Sequence, residues 1–168
     1  VQLYGMTETS GGVFALPPSD HDVRGNARMN SAGRPLPGVD VKIVGTDGNI
    51  VPLGKVGEIL LRSDANTIGY WKMPEATAAA IAEDGWLRTG DAGYLDENGY
   101  LFICDRIKDM ICTGGENVYR AEVESVLFGH PAVADAAVIA VPDEKWGEAV
   151  KAVIVPKPGV SLDPGQLI

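Results

Sequence analysis

Residues 100–117 read Tyr-Leu-Phe-Ile-Cys-Asp-Arg-Ile-Lys-Asp-Met-Ile-Cys-Thr-Gly-Gly-Glu-Asn, and this stretch decides the fold of the chain. An apolar run typical of a strand (100–104) leads into a charged segment (105–109) whose one apolar member is Ile107. A second apolar run (110–112) follows and ends at Gly114-Gly115. A short charged connection between two apolar strands suits a solvated joint between two packed bodies. A plain surface turn within one sheet is the alternative, and spacing alone favours it.

Length, composition and charge limit the classes of protein to which this chain can belong. It has 168 residues, 45% of them hydrophobic, which allows one domain or two small ones with a sizeable core. The formal net charge is −9, which argues against a nucleic-acid partner. No apolar run approaches the length that spans a bilayer, so we expect no transmembrane segment.

Cysteine and histidine usage gives no sign of a metal site. Cys104 and Cys112 are the two cysteines, and each lies in an apolar run. We therefore expect buried free thiols rather than a disulfide, which fits a reducing cytoplasm. His21 and His130 have no neighbours with ligand-like spacing, and we interpret both as structural or surface residues.

The order of predicted elements indicates an α+β fold. Over residues 36–107, alternating apolar patterns and the turn at 96–99 predict a small, mostly antiparallel β subdomain with one helix that starts at Pro74. After it, the pattern predicts a strand, a helix and two further strands, a compact α+β body. The predicted strands are 1–4, 39–44, 57–62, 92–95, 100–104, 110–112, 133–141 and 149–155, and the predicted helices are 74–82 and 120–128.

The segment from residue 5 to residue 38 is rich in Gly, Pro, Ser and Asn. A structureless stretch of that length is normally functional or disordered. We expect residues 9–35 to be mobile, because their composition gives them little apolar surface to bury.

The residues Tyr4-Gly5-Met6-Thr7-Glu8 place an aromatic ring, a glycine, a hydroxyl and a carboxylate within five positions. Those groups suit adenine stacking, close backbone approach, phosphate contact and Mg²⁺ ligation. An ordinary turn at the end of a strand is the alternative, and for this motif alone it is the better one.

The residues Trp86-Leu87-Arg88-Thr89-Gly90-Asp91 form a second motif. The Asp91 carboxylate can cap a turn or pair with Arg88. It can also accept hydrogen bonds from two vicinal hydroxyls, since an ionised carboxylate is an acceptor only.

Together, these three stretches resemble the motifs of the adenylate-forming enzymes, which include acyl-CoA synthetases, luciferases and adenylation domains. They occur in the order of that family, and the resemblance extends from Tyr4 to Pro156. The details Gly-Gly-Glu-Asn-Val-Tyr (114–119) and Val-Pro-Asp-Glu-Lys-Trp-Gly-Glu (141–148) are similar to bacterial fatty-acyl-CoA ligases.

The resemblance implies a nucleotide site. Tyr4 would stack on adenine with Gly5 close by, Thr7 would contact the α-phosphate, and Glu8 would hold Mg²⁺. Asp91 would bind the ribose hydroxyls. Ile103 would pack near adenine and Arg106 would reach ribose or phosphate oxygens.

The resemblance also implies a moving lid and a CoA site. Lys108 would be the hinge, and with Thr7 and Glu8 it completes the expected catalytic set. Gly114 and Gly115 would lie along the pantetheine arm of CoA, where a side chain would block the thiol. Relatives often have Pro at the position of Arg120, a departure to which we assign little consequence. Cys112 replaces a Lys of luciferases and plant aryl-CoA ligases, and packing explains it better than a catalytic thiol.

Residues 1–107 are accordingly expected to be the end of the large adenylating domain, and 108–168 a truncated lid domain. The family's phosphate loop and its Gly-Lys adenylation motif do not occur in the sequence, which breaks off after an apparent helix start near 166–168. We therefore expect a fragment of a longer protein, inactive by itself, and expect its unpaired strand edges to favour a homo-oligomer.

The implied reaction converts a carboxylic acid, most simply a fatty acid, and ATP into acyl-AMP, and then transfers the acyl group to CoA. One open alternative is an aryl-CoA ligase or an enzyme that loads a carrier protein. Another, from a different class, is a non-catalytic nucleotide-binding or interaction module.

Overall fold

The computed structural model describes residues 1–22, 24–160, 162 and 165 and divides the chain into two compact units, Val1–Cys104 and Asp105–Ile168. The division lies three residues before the boundary expected from the sequence. The helix start near 166–168, like the other residues after 160 except 162 and 165, lies outside the described residues. Among the described residues, no helix is long and apolar enough to cross a membrane.

The first unit begins with a small antiparallel sheet. Strands β1 (Gln2–Met6), β2 (Gly11–Leu16) and β3 (Arg34–Pro35) lie in the order β1-β2-β3. The register between β1 and β2 shifts at Tyr4/Gly5. Pairing continues to Met6, and the 3₁₀ turn Thr7–Thr9 then connects the two strands, so the Tyr-Gly-Met-Thr-Glu motif lies at this bulge and in the turn that follows it.

The second sheet of this unit is the expected β subdomain. Its order is β4-β5-β6-β7, and the β4–β5 and β5–β6 pairs are antiparallel. A turn at 96–99 joins β6 to β7, as predicted, and one helix lies between β5 and β6. The bounds are β4 (Asp40–Val44), β5 (Gly57–Arg62), α1 (Pro74–Ala80), β6 (Leu87–Leu95) and β7 (Leu101–Arg106).

We expected residues 9–35 to be mobile on the premise that they have little apolar surface to bury, and that premise was wrong. Val13 and Phe14 of β2 are buried in the same core cluster as Ile59, Leu61 and Leu101 of the second sheet. The strand was missed because it begins with Gly11 and Gly12 and is followed by Pro17, so its short apolar run lies among residues typical of turns.

Polar contacts also hold Asp20, Ala32 and Arg34 of that segment. The hydroxyl of Tyr100 donates to Oδ2 of Asp20 at 2.7 Å, and the guanidinium of Arg34 lies 4.4 Å from the centre of the same ring. The amide of Ala32 donates to the carbonyl of Leu101 at 2.7 Å. A segment without a long apolar pattern is thus anchored to β7 and its preceding turn.

The second unit begins in the last two residues of β7 and continues with a 3₁₀ turn (Ile107–Asp109) and a four-stranded antiparallel sheet with one helix. The strand order is β10-β11-β8-β9, and a core of Ile111, Leu127 and Val138 joins sheet and helix. The predicted strand-helix-strand-strand order is confirmed, with β9 as an additional strand. The bounds are β8 (Ile111–Thr113), β9 (Glu116–Val118), α2 (Arg120–Phe128), β10 (Val133–Asp143) and β11 (Gly147–Pro156).

The two cysteines are free, as expected, but they are not both buried. Cys104 is partly buried in β7, whereas Cys112 is exposed in β8. The prediction was wrong for Cys112 because an apolar run in a sheet with one open face alternates its side chains between core and solvent, and Ile111 takes the core position.

Candidate functional site

The turn that follows β1 is built around a glycine and a buried threonine. A Cβ on Gly5 would lie 1.9 Å from the carbonyl oxygen of Gly11, so no other residue fits this bulge. The amide of Met6 donates to Oγ1 of Thr9 at 3.0 Å, and the Thr9 hydroxyl donates to the carbonyl of Gly11 at 2.7 Å. These bonds fix the backbone that carries Thr7 and Glu8.

A hydrogen bond joins the first two motifs. The hydroxyl of Tyr4 donates to Oδ2 of Asp91 at 2.7 Å, although the two residues are 87 positions apart. The ring of Tyr4 also packs against Phe14, with ring centres 5.9 Å apart. An aromatic face and an acidic hydrogen-bond acceptor thus lie side by side in the first unit.

Strand β6 positions Asp91 through the side chain of Thr89. Its amide donates to Oγ1 of Thr89 at 3.1 Å, and the buried Thr89 hydroxyl donates to the carbonyl of Ile59 at 2.8 Å. Arg88, one of the partners that the sequence left open for Asp91, forms an ion pair with Glu58 at 2.6 Å.

Glu8 is held by residues from a distant loop. The hydroxyl of Tyr70 donates to its Oε1 at 2.7 Å, and the amide of Thr67 donates to its main-chain carbonyl at 2.7 Å. The hydrogen bond to the carboxylate, with smaller contributions from burial and the charge of Glu8, raises the pKa of Tyr70 above its ordinary value.

The Glu8 carboxylate fits a magnesium ion that arrives with a nucleotide. Among the described residues no group of three or more His, Cys, Asp or Glu side chains could hold a metal. Mg²⁺ in nucleotide enzymes commonly uses one or two carboxylates together with the substrate phosphates and waters, so a single carboxylate suffices. Glu8 is partly exposed, which leaves it accessible to such a ligand.

The predicted hinge lies at an element boundary of the second unit. Lys108 is exposed in the 3₁₀ turn between β7 and β8, where the amide of Met110 donates to the carbonyl of Arg106 at 3.1 Å. Arg106 itself is exposed at the end of β7.

Arg120 connects this turn to helix α2, a role that the sequence did not indicate. Its Nη2 lies 2.9 Å from Oδ2 of Asp109 and its Nε 3.8 Å from Oδ2 of Asp105. Its amide also donates to Oδ2 of Asp105 at 2.7 Å, which satisfies one of the amides at the start of the helix that have no partner within the helix. The two aspartates flank Lys108, so this arginine ties both ends of the turn.

The local structure explains why glycine occupies positions 114 and 115. Gly114 and Gly115 have φ angles of 58° and 86°, a region that favours glycine. A Cβ on Gly114 would lie 2.7 Å from Cε3 of Trp146, and the Gly114 amide donates to the Trp146 carbonyl at 3.0 Å. At Gly115 a Cβ would meet nothing within 4 Å.

The structure therefore brings Tyr4 and Asp91 together and fixes the turn that carries Thr7 and Glu8. Ile103 lies in β7 with 40% of its surface exposed. Sequence reasoning did not assign Tyr70, which contacts Glu8 in the first unit, nor Arg120 and Trp146, which contact Asp109 and Gly114 in the second unit. The departure of Arg120 from the proline common in relatives was noted in the sequence, but no role was assigned to it.

Two family models match the sequence. The model of the AMP-binding enzymes matches residues 1–71, and that of the AMP-binding enzyme C-terminal domain matches residues 122–168. The two matches lie on the two sides of the predicted hinge and together cover more than half of the chain.

Named relatives are similar over almost the whole chain. A fatty acid–[acyl-carrier-protein] ligase of Streptomyces coeruleorubidus is 51% identical over 99% of this chain and 32% of its own length. A feruloyl-CoA synthase of Amycolatopsis is 46% identical over 100% of this chain and 33% of its own. The chain thus spans about a third of the length of these relatives.

Solved structures share the fold. The amide bond synthetase McbA of Marinactinospora thermotolerans matches 99% of this chain and 33% of its own, with a TM-score of 0.87 and 44% identity. The o-succinylbenzoate CoA synthetase of Bacillus subtilis, in complex with its acyl-adenylate intermediate, covers the same shares with a TM-score of 0.86 and 42% identity.

Proposed function

The chain belongs to the AMP-binding enzyme family, and on that basis we propose that it is part of an ATP-dependent acyl-CoA synthetase. In the first step a carboxylate oxygen of the acid attacks the α-phosphorus of ATP, and pyrophosphate leaves. In the second step the CoA thiolate attacks the carbonyl carbon of the acyl-AMP, and AMP leaves. The protein contributes mainly by positioning the reactants and stabilising charge.

The observation that carries this proposal is the hydrogen bond from Tyr4 to Asp91. It supports adjoining sites for adenine, at Tyr4 and Gly5, and for the ribose hydroxyls, at Asp91. The proposed roles of Ile103 near adenine and of Arg106 at ribose or phosphate oxygens rest on the family resemblance. In the same unit the turn after β1 presents Thr7 to the α-phosphate.

The remaining roles follow the same proposal. Glu8 holds the Mg²⁺ that accompanies ATP. Lys108 is the pivot about which the second unit changes orientation between the two steps, and its position in a turn between strands supports this role. Gly114 and Gly115 line the path of the pantetheine arm.

We propose a fatty acid as the substrate, because the 51% identical relative is named a fatty-acid ligase. The same comparison keeps the acceptor open, since that relative is named for an acyl-carrier protein, others for CoA, and McbA for amide bond formation. An aryl-CoA ligase, favoured by the similarity to the feruloyl-CoA synthase, and a carrier-protein-loading enzyme are the second candidates.

Two free thiols support a reducing compartment, and we propose the cytoplasm as the location. We also propose that the chain self-associates through strand edges, which sedimentation at several concentrations tests.

The decisive experiment uses the full-length protein with ATP, a panel of fatty and aromatic acids, and CoA or a carrier protein as acceptor. We expect acid-dependent pyrophosphate release followed by a thioester of CoA. The same assay on the 168 residues alone serves as the control and should give no pyrophosphate above background. A full-length protein that binds nucleotide yet releases no pyrophosphate with any acid would favour the non-catalytic alternative.

A further inference from the structure

Three hydrogen bonds join the loop that follows β5 to the turn that carries Glu8. The hydroxyl of Ser10 donates to the carbonyl of Ala65 at 2.9 Å, and the amide of Thr67 donates to the carbonyl of Glu8 at 2.7 Å. The third contact is the one between side chains, in which the hydroxyl of Tyr70 donates to Oε1 of Glu8 at 2.7 Å. The loop therefore fixes both the backbone and the carboxylate of this residue.

Tyr70 is itself fixed by helix α1. Its amide donates to Oγ1 of Thr77 at 2.9 Å, and the Thr77 hydroxyl donates to the carbonyl of Met73 at 2.8 Å. Gly69 has a φ of 145°, and a Cβ there would lie 2.6 Å from Cγ2 of Thr77. The loop can therefore approach the helix this closely only with glycine before the tyrosine.

A tyrosine hydroxyl is a specific choice of partner for a metal-binding carboxylate. It has one proton to donate, so it orients one oxygen of Glu8 and leaves the negative charge intact. A lysine or arginine at the same place would neutralise the charge that a cation needs. Hydrogen-bond partners of this kind commonly orient metal ligands and raise their affinity for the metal.

We propose that Tyr70 is a positioning residue for the magnesium-nucleotide complex, holding Oε1 of Glu8 so that Oε2 is presented to the Mg²⁺ that arrives with ATP. The inference rests on the proposed function. The inference distinguishes ATP from AMP, a distinction that the general nucleotide-binding role of the site does not make, because AMP binding requires no Mg²⁺. Tyr70 should matter for Mg²⁺-dependent binding of ATP and should be indifferent to AMP.

The test measures the affinity of the full-length protein for ATP with Mg²⁺, for ATP with EDTA, and for AMP, by calorimetry. The variants are Tyr70→Phe, Glu8→Gln and, as a matched control, Tyr100→Phe. The control removes another tyrosine-to-carboxylate hydrogen bond of 2.7 Å in the same unit, the one to Asp20. We expect Tyr70→Phe to reduce the Mg²⁺-dependent gain in ATP affinity about tenfold, and to leave AMP affinity unchanged. Tyr100→Phe should keep the full gain.

Each other outcome overturns the inference in a recognisable way. If Tyr70→Phe keeps the gain while Glu8→Gln loses it, Glu8 holds the metal without help from Tyr70, and the inference fails alone. If the wild-type protein shows no gain, or Glu8→Gln retains it, the proposed role of Glu8 fails as well. If Tyr70→Phe weakens AMP and ATP binding equally, the tyrosine acts on the fold of the site and not on the metal.

Discussion

The carboxylates that accept hydrogen bonds from tyrosines in the first unit and the two aspartates that flank Lys108 in the second unit are held in different ways. In the first unit three carboxylates, those of Asp91, Glu8 and Asp20, each accept a hydrogen bond of 2.7 Å from a tyrosine hydroxyl. In the second unit Asp105 and Asp109 are both within ion-pair distance of the Arg120 guanidinium. A neutral donor orients a carboxylate and leaves its charge available, whereas a guanidinium compensates that charge.

This difference separates binding from mechanical roles. On the proposed function, the tyrosine hydroxyls orient Asp91 toward ribose hydroxyls and Glu8 toward a cation, which is a ligand-binding role. The charges of Asp105 and Asp109 are compensated, so their contribution is to shape the turn that contains Lys108. The first unit should therefore be sensitive to side-chain chemistry, and the second to backbone conformation.

Lys108→Pro provides the strongest test of the backbone side of this comparison. Proline fixes φ near −65° and also restricts Ile107 before it, so one of two orientations about this turn becomes inaccessible. In the full-length enzyme we expect acyl-AMP formation to be largely retained and CoA transfer to fall about a hundredfold, the equivalent of ~3 kcal/mol. Single-turnover measurements of each half-reaction report the two effects separately.

Lys108→Ala is the matched control for that variant. The side chain of Lys108 is exposed, so its removal should change both half-reactions only slightly. Equal losses of both half-reactions in Lys108→Pro, or no loss in either, would exclude Lys108 as the pivot.

Asp91→Ala tests the side-chain half of the comparison. A hydrogen bond to a charged group contributes about 1.5–3 kcal/mol, so its loss should weaken AMP and ATP binding by about tenfold or more. Tyr4→Phe keeps the ring and removes only the hydroxyl that orients Asp91, and it should have a smaller effect. Unchanged nucleotide affinity in Asp91→Ala, measured by calorimetry, would remove this residue from the ribose site.

Parts of the fold that depend on residues close together in the sequence could be predicted, whereas parts that depend on residues far apart could not. The alternating patterns of β4 and β5 and the turn at 96–99 predicted the second sheet, because these are local signals. The strand β2 was missed because its apolar run is short and lies between glycines and a proline. Its burial comes from core residues of the second sheet, far along the chain.

The same difference between local and distant residues applies to the candidate site. The motifs around Tyr4, Asp91 and Gly114 were identified by their resemblance to those of the adenylate-forming enzymes, since their residue types and spacing alone left ordinary turns as alternatives. Their partners could not, since Tyr70 lies 62 positions from Glu8 and no pattern links the two. Trp146, likewise, meets Gly114 only because β11 pairs with β8.

A pair of glycine variants tests how strongly the stability of the second unit depends on backbone conformation. Gly114→Ala combines a positive φ with a Cβ that would lie 2.7 Å from the Trp146 ring. We expect it to lower the free energy of unfolding by about 2 kcal/mol, against about 1 kcal/mol for Gly115→Ala, where only the φ angle opposes the change. Urea unfolding of the chain measures both, and equal effects would show that Trp146 moves aside without cost.

Arg120→Ala examines the ion pairs that tie the hinge turn to α2. The Asp105 side chain is only 9% exposed, so loss of its partner should lower the free energy of unfolding by about 1 kcal/mol. Arg24→Ala is the control, because Arg24 is 88% exposed beside Asp22 and should contribute almost nothing. Equal unfolding midpoints for the two variants would contradict a structural role for Arg120.

The smallest effect should come from pH acting on the tyrosine-to-carboxylate bonds. The hydrogen bond to Asp20 is the largest cause that raises the pKa of Tyr100. Burial and the Asp20 charge act in the same direction, and Arg28 and Arg34 act against them. Because the pKa in the folded chain lies above the unfolded value of about 10, the stabilisation is fully present below pH 10. It is lost as the pH rises through the folded-state pKa.

Tyr100→Phe separates this contribution from the general loss of stability in alkali. Lysine deprotonation affects both proteins alike, so the difference in their unfolding midpoints isolates the tyrosine. We expect wild type to be the more stable protein at pH 8, and its advantage to shrink as the pH is raised to 11. An advantage that is constant across this range would mean that the hydroxyl of Tyr100 stabilises the chain without its bond to Asp20, and that the neutral-donor arrangement of the first unit does not extend to this carboxylate.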